Sequence, residues 1–349
     1  MSTDNATIDR VNAMLDGFYL GEAFGRPYKF SRGKLVENDP SQLYTGIESA
    51  QLFATLYAQS KTPAELSIEL ATAIKEIASS SQECQFLKHI CADDGWIMNP
   101  SQVAADTWRK SNQQYCAPIC IARTVAIAVK PYYSDMLPMI VELTSADPRC
   151  VLVSEVLAQT LMVLCNGSDA TLLFQTIVQS VFTESSPHTH AAKEILATIA
   201  SKNLSDVGIG GSQSIMHTLA IIMFVMRAVK YSHDNKQKIS FKKTMWLIAG
   251  VGGDAAINCA VAGALIGAYA GSDNIPADWL AILDKDPVRA DTSATTPSTD
   301  LIVESVIEST LESIVESNNI PANVLSVASD HSNDHSNDHS NNESVEEID

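Results

Sequence analysis

The chain has 349 residues, of which 46% are hydrophobic and 18% are charged, and this is enough apolar material for one large core or two smaller ones. The 16 glycines and 13 prolines are too few for a fibrous protein or a Gly/Pro-rich all-β protein. The formal net charge of −18 disfavours nucleic-acid binding through a basic surface.

Amphipathic helices are predicted along most of the chain. Apolar residues recur at intervals of three and four, whereas the alternation of apolar and polar residues that indicates strands is nearly absent. The segments with the helical period are 52–59, 65–77, 103–108, 119–129, 136–143, 152–165, 172–182, 191–200, 215–229 and 243–248. Prolines and glycines separate these segments by short connections. We therefore predict an all-α fold, a compact domain of many helices.

The most apolar long segment covers residues 245–271. Gly263, Gly267 and Gly271 lie four residues apart in it, so on a helix they form a flat stripe that lets another backbone come close. Asp254 also lies in this segment, and a membrane span of about 20 apolar residues would not carry such a charge. We interpret the segment as buried core and expect no membrane binding.

The cysteine pattern and the N-terminus favour a reducing compartment. The chain has seven cysteines, an odd number, and no Cys-x-x-Cys motif, so buried free thiols explain them better than a disulfide framework. The first ten residues, MSTDNATIDR, do not resemble a secretory signal. We expect an intracellular protein, located in the cytoplasm.

The acidic residues are concentrated after Arg289. Thirteen of the 41 Asp and Glu residues lie there with no Lys or Arg, so the rest of the chain carries a charge of −5. We predict a helical domain over 1–289, a linker over 290–300, an acidic amphipathic helix over 301–317 and a disordered low-complexity tail over 318–349. The amphipathic helix could dock on the domain, self-associate, serve a protein partner or stay unfolded.

Three segments place small residues beside acids, a pattern that suits a ligand site. In residues 10–30, glycines recur every four positions and Glu22 follows the second of them. Residues 44–48 (YTGIE) form a polar turn, and residues 252–256 (GGDAA) lead into the glycine-striped helix. A carboxylate and exposed amides at a helix N-terminus can hold a metal ion or a phosphate.

In this order and spacing, the segments resemble the motifs of the ADP-ribosylglycohydrolase family, of the type that includes the dinitrogenase-reductase-activating glycohydrolases. That family has an R-x-x-G-x-x-x-G-x-x-x-G-D-A-x-G segment, then [YW]-T-D-D-T, S-N-G-x-x-M-R, T-H-x-D-P-R and G-G-D-x-D-T motifs, and an I-P-x-x-W ending. The matching positions are Arg10, Gly17, Gly21, Ala23 and Gly25, then Tyr44 and Thr45, then 111–117, 144–149 and 252–279. The resemblance covers residues 10–285.

The resemblance implies a compact all-α domain with two Mg²⁺ or Mn²⁺ ions at its centre. It also implies hydrolysis of the glycosidic bond that joins ADP-ribose to a protein side chain or a small molecule, so ADP-ribose or an ADP-ribosylated protein would be the ligand. Two divalent cations need several hard oxygen ligands, which the T-D-D-T and G-D-x-D-T turns supply in the family.

This sequence departs from the family at most of those positions. The replacements are Gly46, Ile47 and Glu48 in the first turn, Ala256 and Ile257 in the second, Glu22 for an aspartate, and Lys29 for a glutamate that assists the chemistry. Only Thr45 and Asp254 of the metal-binding set are retained, and one carboxylate cannot hold two divalent ions against water. If Lys29 points inward, it puts a positive charge where a metal should lie, or it substitutes for the metal by pairing with a substrate phosphate or with Asp254. We predict that Mg or Mn is absent or weakly bound and that hydrolysis is impaired.

The candidate site residues follow from these matches. They are Glu22 as the catalytic candidate, Thr45, Glu48 and Asp254 as residual metal ligands, and Asn112, Gly252 and Gly253 as contacts to ADP-ribose. Three interpretations remain open: an impaired family member that binds ADP-ribose or a protein partner, an active hydrolase with one Mg²⁺ on Glu22, Glu48 and Asp254, and an interaction protein that acts through 301–317. For Asp254 alone, a helix N-cap is the simpler interpretation.

Overall fold

Helices dominate the part of the chain that the structure, a computed structural model, describes: residues 5–30, 46–60, 62–80, 85–93, 95–111, 116–130, 135–168 and 214–283. These residues form α1 (Asn5–Gly25), α2 (Ile47–Leu56), α3 (Pro63–Ser80), α4 (Gln85–Cys91), α5 (Pro100–Lys110), α6 (Ile121–Ile127), α7 (Leu137–Glu142), α8 (Pro148–Cys165), α9 (Ile215–Asn235), α10 (Phe241–Val251), α11 (Ala255–Ala270) and α12 (Ala277–Leu283). Short 3-10 turns cover Arg26–Tyr28, Pro118–Cys120 and Ser272–Asn274. No strand occurs in these ranges, so the predicted all-α fold is confirmed.

Several sequence predictions lie outside the described residues. They are the helices over 172–182 and 191–200, the end of the domain at 289, the linker over 290–300, the acidic helix over 301–317 and the tail over 318–349. These remain predictions from the sequence alone.

The centre of the fold is the crossing of α1 and α11, whose backbones are in direct contact. A Cβ atom on Gly17 would lie 2.7 Å from the carbonyl carbon of Gly263, and one on Gly21 would lie 2.6 Å from that of Cys259. A Cβ on Gly267 would lie 2.9 Å from the backbone nitrogen of Met14. Such distances leave no room for any side chain, so both helices need glycine at the crossing. The close backbone approach predicted for the stripe in α11 is present.

Two features of these helices differ from the sequence prediction. Residues 5–25 form α1, whereas no helix was predicted before residue 52. Gly271 does not extend the packing stripe: it ends α11 with a φ of 73°, and the next residue, Ser272, donates its backbone N–H to Asp9 at 3.1 Å. Glycine is favoured at this position because it adopts a positive φ without strain.

Helices α8, α9 and α10 enclose α11, and its residues from Ala255 to Ala268 are all buried. At the end of α1, Phe24 stacks on Trp279 of α12 with 5.1 Å between ring centres, and it meets Trp246 of α10 edge-on at 5.2 Å. These aromatic contacts fix the C-terminal end of α1, which leads into the candidate site.

Two described helices, α8 and α9, are long and apolar enough to cross a membrane by length and composition. In each, 61% of the apolar window is buried inside the fold. Core helices pass the same test, because burial in protein selects for the same composition as burial in lipid. The segment 245–271 forms parts of two shorter helices, α10 and α11.

Candidate functional site

Three helices bring the predicted acidic residues to one place. Glu22 lies in α1, Glu48 lies in the first turn of α2, and Asp254 directly precedes α11; all three are buried. Lys29 follows the 3-10 turn Arg26–Tyr28, and its ammonium group lies against two of these carboxyl groups. We refer to Glu22, Lys29, Glu48 and Asp254 as the Lys29 centre.

Glu22 stabilises the start of α2. Its carboxylate accepts hydrogen bonds from the backbone N–H of Ser49 at 2.8 Å and of Glu48 at 3.2 Å, and also from the Ser49 hydroxyl. The N-cap of α2 is Gly46, which has no side chain to offer, so Glu22 satisfies amides that the helix itself leaves unpaired. The two oxygens of Glu22 are therefore engaged in holding α2.

Gly46 and Glu22 are sterically matched. A Cβ on Gly46 would lie 2.6 Å from Oε1 of Glu22, and the guanidinium carbon of Arg26 is 3.5 Å from the same point. A longer acid at position 22 fills the space beside position 46. Glycine at position 46 therefore leaves room for the Glu22 carboxylate where it lies.

Lys29 lies between two carboxyl groups of different helices. Its Nζ is 3.2 Å from Oδ1 of Asp254 and 3.6 Å from Oε1 of Glu48, and 18% of its side chain is exposed. Asp254 is the N-cap residue of α11, yet its side chain makes no capping hydrogen bond. Asp254 therefore has the predicted N-cap position without the capping hydrogen bond, and its carboxylate faces Lys29.

The turn before α11 holds the segment that carries Lys29. Gly252 and Gly253 have φ values of 86° and 68°, which other residues rarely adopt. The carbonyl of Gly253 accepts a hydrogen bond from the backbone N–H of Phe30 at 2.7 Å. Both predicted ligand-contacting glycines thus lie at the Lys29 centre, and one of them fixes the chain beside Lys29.

Burial raises the pKa of Glu48 to about 8 from its ordinary value of 4.5, and this outweighs the opposing effect of Lys29. The neighbouring Glu22 contributes to the rise through its charge and a hydrogen bond. Glu48 is therefore mostly protonated at neutral pH, and the charge of Lys29 is directed chiefly to Asp254.

In the native protein the free energy of unfolding is expected to depend on the protonation of Glu48, and in Glu48→Gln this dependence on pH should be absent. Between about pH 4.5 and about pH 8 the folded protein keeps a proton that the unfolded chain releases, so the free energy of unfolding falls as pH rises, by at most about 1.4 kcal/mol per pH unit. Urea unfolding at about pH 5 and about pH 8 measures this change: the native protein should lose stability relative to the variant at the higher pH.

Glu69→Gln is the matched control for that comparison. Burial raises the pKa of Glu69, but hydrogen bonds from Ser60 and from the amides of Gln59 and Ser60 outweigh burial and lower it. Its contribution to stability is therefore lost only as pH falls below about 4.5, so the difference between the native protein and Glu69→Gln should be nearly the same at about pH 5 and about pH 8. A native-to-Glu48→Gln difference that is the same at both pH values would contradict the assignment.

The residues of the Lys29 centre do not fit the metal ions that the family resemblance implies. An ammonium group already lies against Asp254 and Glu48, and Glu22 is engaged with the amides of α2. Within the described ranges, no group of three or more His, Cys, Asp or Glu side chains is arranged to hold a metal ion. A divalent ion beside Lys29 would face direct charge repulsion at a distance of a few ångströms.

Two predicted site residues, Thr45 and Asn112, lie outside the described residues. The segment matched to the family's T-H-x-D-P-R motif has a structural role here. Asp147 caps α8 by accepting the backbone N–H of Arg149 at 2.9 Å, and its other oxygen accepts a hydrogen bond from the Arg149 guanidinium at 2.6 Å. The indole of Trp108 also donates to Asp147, at 3.3 Å.

The buried Arg123 was not predicted from the sequence as part of the site. Its guanidinium is fully buried and donates to the carbonyl of Ile140 at 3.2 Å, to the hydroxyl of Thr144 at 2.6 Å and to the amide oxygen of Gln51. Burial lowers its pKa to about 10. Arg123 thereby ties α2, which carries Glu48, to α6 and α7. The sequence feature that could have indicated it is a single arginine inside the apolar segment 119–129.

The site lies in an all-α domain, where acidic residues from separate helices come together. Comparison with known proteins shows the family to which the chain belongs. The ADP-ribosylglycohydrolase family model matches residues 3–308. This chain belongs to the ADP-ribosylglycohydrolase family, whose reaction is hydrolysis of the glycosidic bond to ADP-ribose and which typically depends on metal ions.

A solved structure described as an ADP-ribosylglycohydrolase-related protein complex is similar to this chain. The TM-score is 0.54 with 16% sequence identity, and the match covers 87% of this chain and 99% of the other. At this identity the likeness concerns the fold. No curated protein matches the chain.

Proposed function

We propose that this family member binds the ADP-ribosyl group and does not carry out metal-dependent hydrolysis. The observation that carries the proposal is the position of Lys29, whose ammonium lies 3.2 Å from Asp254, the one acid retained from the family's metal-binding set that the structure describes. A protein cation thus takes the position that a metal would need. We propose that the ligand is either free ADP-ribose or an ADP-ribosylated protein.

The Lys29 centre keeps features that suit binding of an anionic sugar. The Lys29 side chain is partly exposed, so its ammonium can also meet a phosphate while it contacts Asp254. The two glycines before Asp254 carry no side chains, which allows a ligand to approach the backbone closely. Asn112 remains a proposed contact from the sequence.

Titration of the full chain with ADP-ribose, with and without Mg²⁺ or Mn²⁺, tests this function. We expect heat of binding that is the same in both conditions, together with no release of ADP-ribose from an ADP-ribosylated protein. Lys29→Met should weaken the metal-free binding, because it removes the cation that meets the phosphate. Absence of binding in every condition would contradict the proposal.

A second candidate is a hydrolase that uses a single Mg²⁺ on Glu22, Glu48 and Asp254. The gathering of these three acids in one centre favours it, whereas the contacts of Lys29 oppose it. This candidate predicts that Mg²⁺ strengthens ADP-ribose binding and raises the unfolding temperature, and that Asp254→Ala removes both effects.

A third candidate is an interaction protein that acts through the acidic amphipathic segment 301–317. The regular spacing of glutamates along an apolar stripe supports it. It predicts that deletion of 290–349 abolishes association with a partner while the domain stays folded, and that nucleotide is not bound. A cytoplasmic location is proposed for all three candidates.

A further inference from the structure

A surface cavity of about 410 Å³ lies at the C-terminal end of α11, whereas Asp254 precedes the start of that helix. One wall is the end of α9 with the chain that follows it to Ile239, and the other is the end of α11 with the 3-10 turn Ser272–Asn274. The 16 residues of α11 span about 24 Å, so this cavity and the Lys29 centre are separate. Its volume is in the range of small-molecule sites.

The wall at the end of α9 carries two lysines whose charges no acidic group neutralises. Lys236 and Lys238 line the cavity, and neither forms an ion pair within the part of the chain that the structure describes. In contrast, Lys230 of the same helix pairs with Asp234 at 3.0 Å. A cation at a helix C-terminus complements the helix dipole, but Lys238 lies three residues beyond the last residue of α9. Both ammonium groups are therefore available to an anionic group of a ligand.

The backbone of this wall is held in a defined conformation. Lys236 has a φ of 52°, which residues other than glycine rarely adopt. The backbone N–H of Gln237 donates to the carbonyl of Ser232 at 3.0 Å, and the buried hydroxyl of Ser232 donates to the carbonyl of Gln237. These two hydrogen bonds close the end of α9, so the wall is formed without a ligand.

The opposite wall has a hydrogen-bond donor and an acceptor that are both unused. The side-chain amide nitrogen of Asn274 is buried and has no hydrogen-bond partner among the described residues. Asp273 is exposed and forms no ion pair with them. A buried donor without a partner is unfavourable, and a ligand oxygen would remove this cost. Between these polar groups and α9, Tyr269 contributes a partly buried ring to the cavity.

We propose that this cavity binds a small phosphate ester that carries hydroxyl groups, such as a sugar phosphate. The phosphate would lie at Lys236 and Lys238, because ammonium groups form strong, charge-assisted hydrogen bonds with phosphate oxygens. Hydroxyl groups of the ligand would donate to Asp273 and accept from Asn274. The ring of Tyr269 would pack against the carbon atoms that join the two parts. This site does not depend on the function proposed for the Lys29 centre.

Calorimetric titration of the full chain with glucose 6-phosphate and with glycerol 3-phosphate tests the site. We expect at least one of the two to bind, about tenfold more tightly than inorganic phosphate, because only an ester also meets Asp273 and Asn274. The double variant Lys236→Met with Lys238→Met should weaken this binding about tenfold or more. Methionine keeps the length of the side chain and removes its charge, so the backbone of the wall is retained.

The double variant Lys88→Met with Lys110→Met is the matched control, because it removes two positive charges from α4 and α5. It should bind the esters like the native protein. Asp273→Asn should weaken the binding of the esters and not that of inorganic phosphate, since it changes a group that meets only the hydroxyls. Failure of both esters to bind, equal losses in the two double variants, or phosphate binding as tight as that of the esters would each contradict the proposal.

Discussion

Gly21→Ala is expected to prevent stable folding of the domain. The added Cβ would lie 2.6 Å from the carbonyl carbon of Cys259 and 2.8 Å from the Cα of Ala260, both of them backbone atoms of α11. Backbone cannot turn aside as a flexible side chain can, so α1 and α11 would have to separate along their whole crossing. We expect a loss of about 3 kcal/mol or more, a large part of the stability of a typical domain.

The sign of this effect makes the prediction specific. In an ordinary helix, replacing glycine by alanine stabilises by about 1 kcal/mol. Gly250→Ala is the matched control, because Gly250 is an exposed glycine inside α10. Thermal and urea unfolding of the two variants should move in opposite directions. A Gly21→Ala protein as stable as the native one would contradict the contact between the two backbones.

Lys29→Met is expected to create a divalent-cation site that the native chain lacks. Methionine has a similar length and no charge, so the substitution removes the cation and leaves the carboxyl groups of Glu48 and Asp254 at the same centre. Without a cation, buried carboxyl groups keep or take up protons, and a hard divalent ion can displace these protons, most readily at alkaline pH. We expect Mn²⁺ binding with a Kd of about 0.1–1 mM and a rise in unfolding temperature when Mn²⁺ is added.

The acidic residues after Arg289 also attract cations, so the new site needs its own control. The double variant Lys29→Met with Asp254→Asn keeps those acids and loses one ligand of the centre. Calorimetry with Mn²⁺ should show the additional site in the single variant and not in the double variant. Equal binding by the two variants would show that the Lys29 centre has no latent affinity for metal.

The all-α fold and the close approach of another backbone to α11 could be predicted, because both depend on patterns within a short stretch of sequence. The helical period of apolar residues does not depend on the rest of the chain, and glycines four residues apart present a flat face wherever they occur. Gly263 and Gly267 were recognised in this way. The stripe on α1 was harder to interpret, because Gly17 and Gly21 weaken an isolated helix and only the contact with α11 compensates for them.

The resemblance to a family also predicted that Glu22, Glu48 and Asp254 belong to one site. The pairing of Lys29 with Asp254 was one of the two partners that the sequence suggested for an inward-pointing Lys29, and it is present. The other contacts could not be predicted, because each depends on a partner distant in sequence. Asp254 would be a good helix cap, and only the position of Lys29 shows that its carboxylate is turned elsewhere. Likewise, Glu22 serves the amides of α2, 26 and 27 residues further along the chain.

Electron paramagnetic resonance of Mn²⁺ added to the native full-length chain tests the central claim, that a lysine occupies the place of the metal. The native protein and Asp254→Asn should reduce the signal of free Mn²⁺ equally, because only acids elsewhere in the chain would bind the ion. A bound Mn²⁺ ion that the native protein holds and Asp254→Asn does not would contradict the account and favour the single-metal hydrolase.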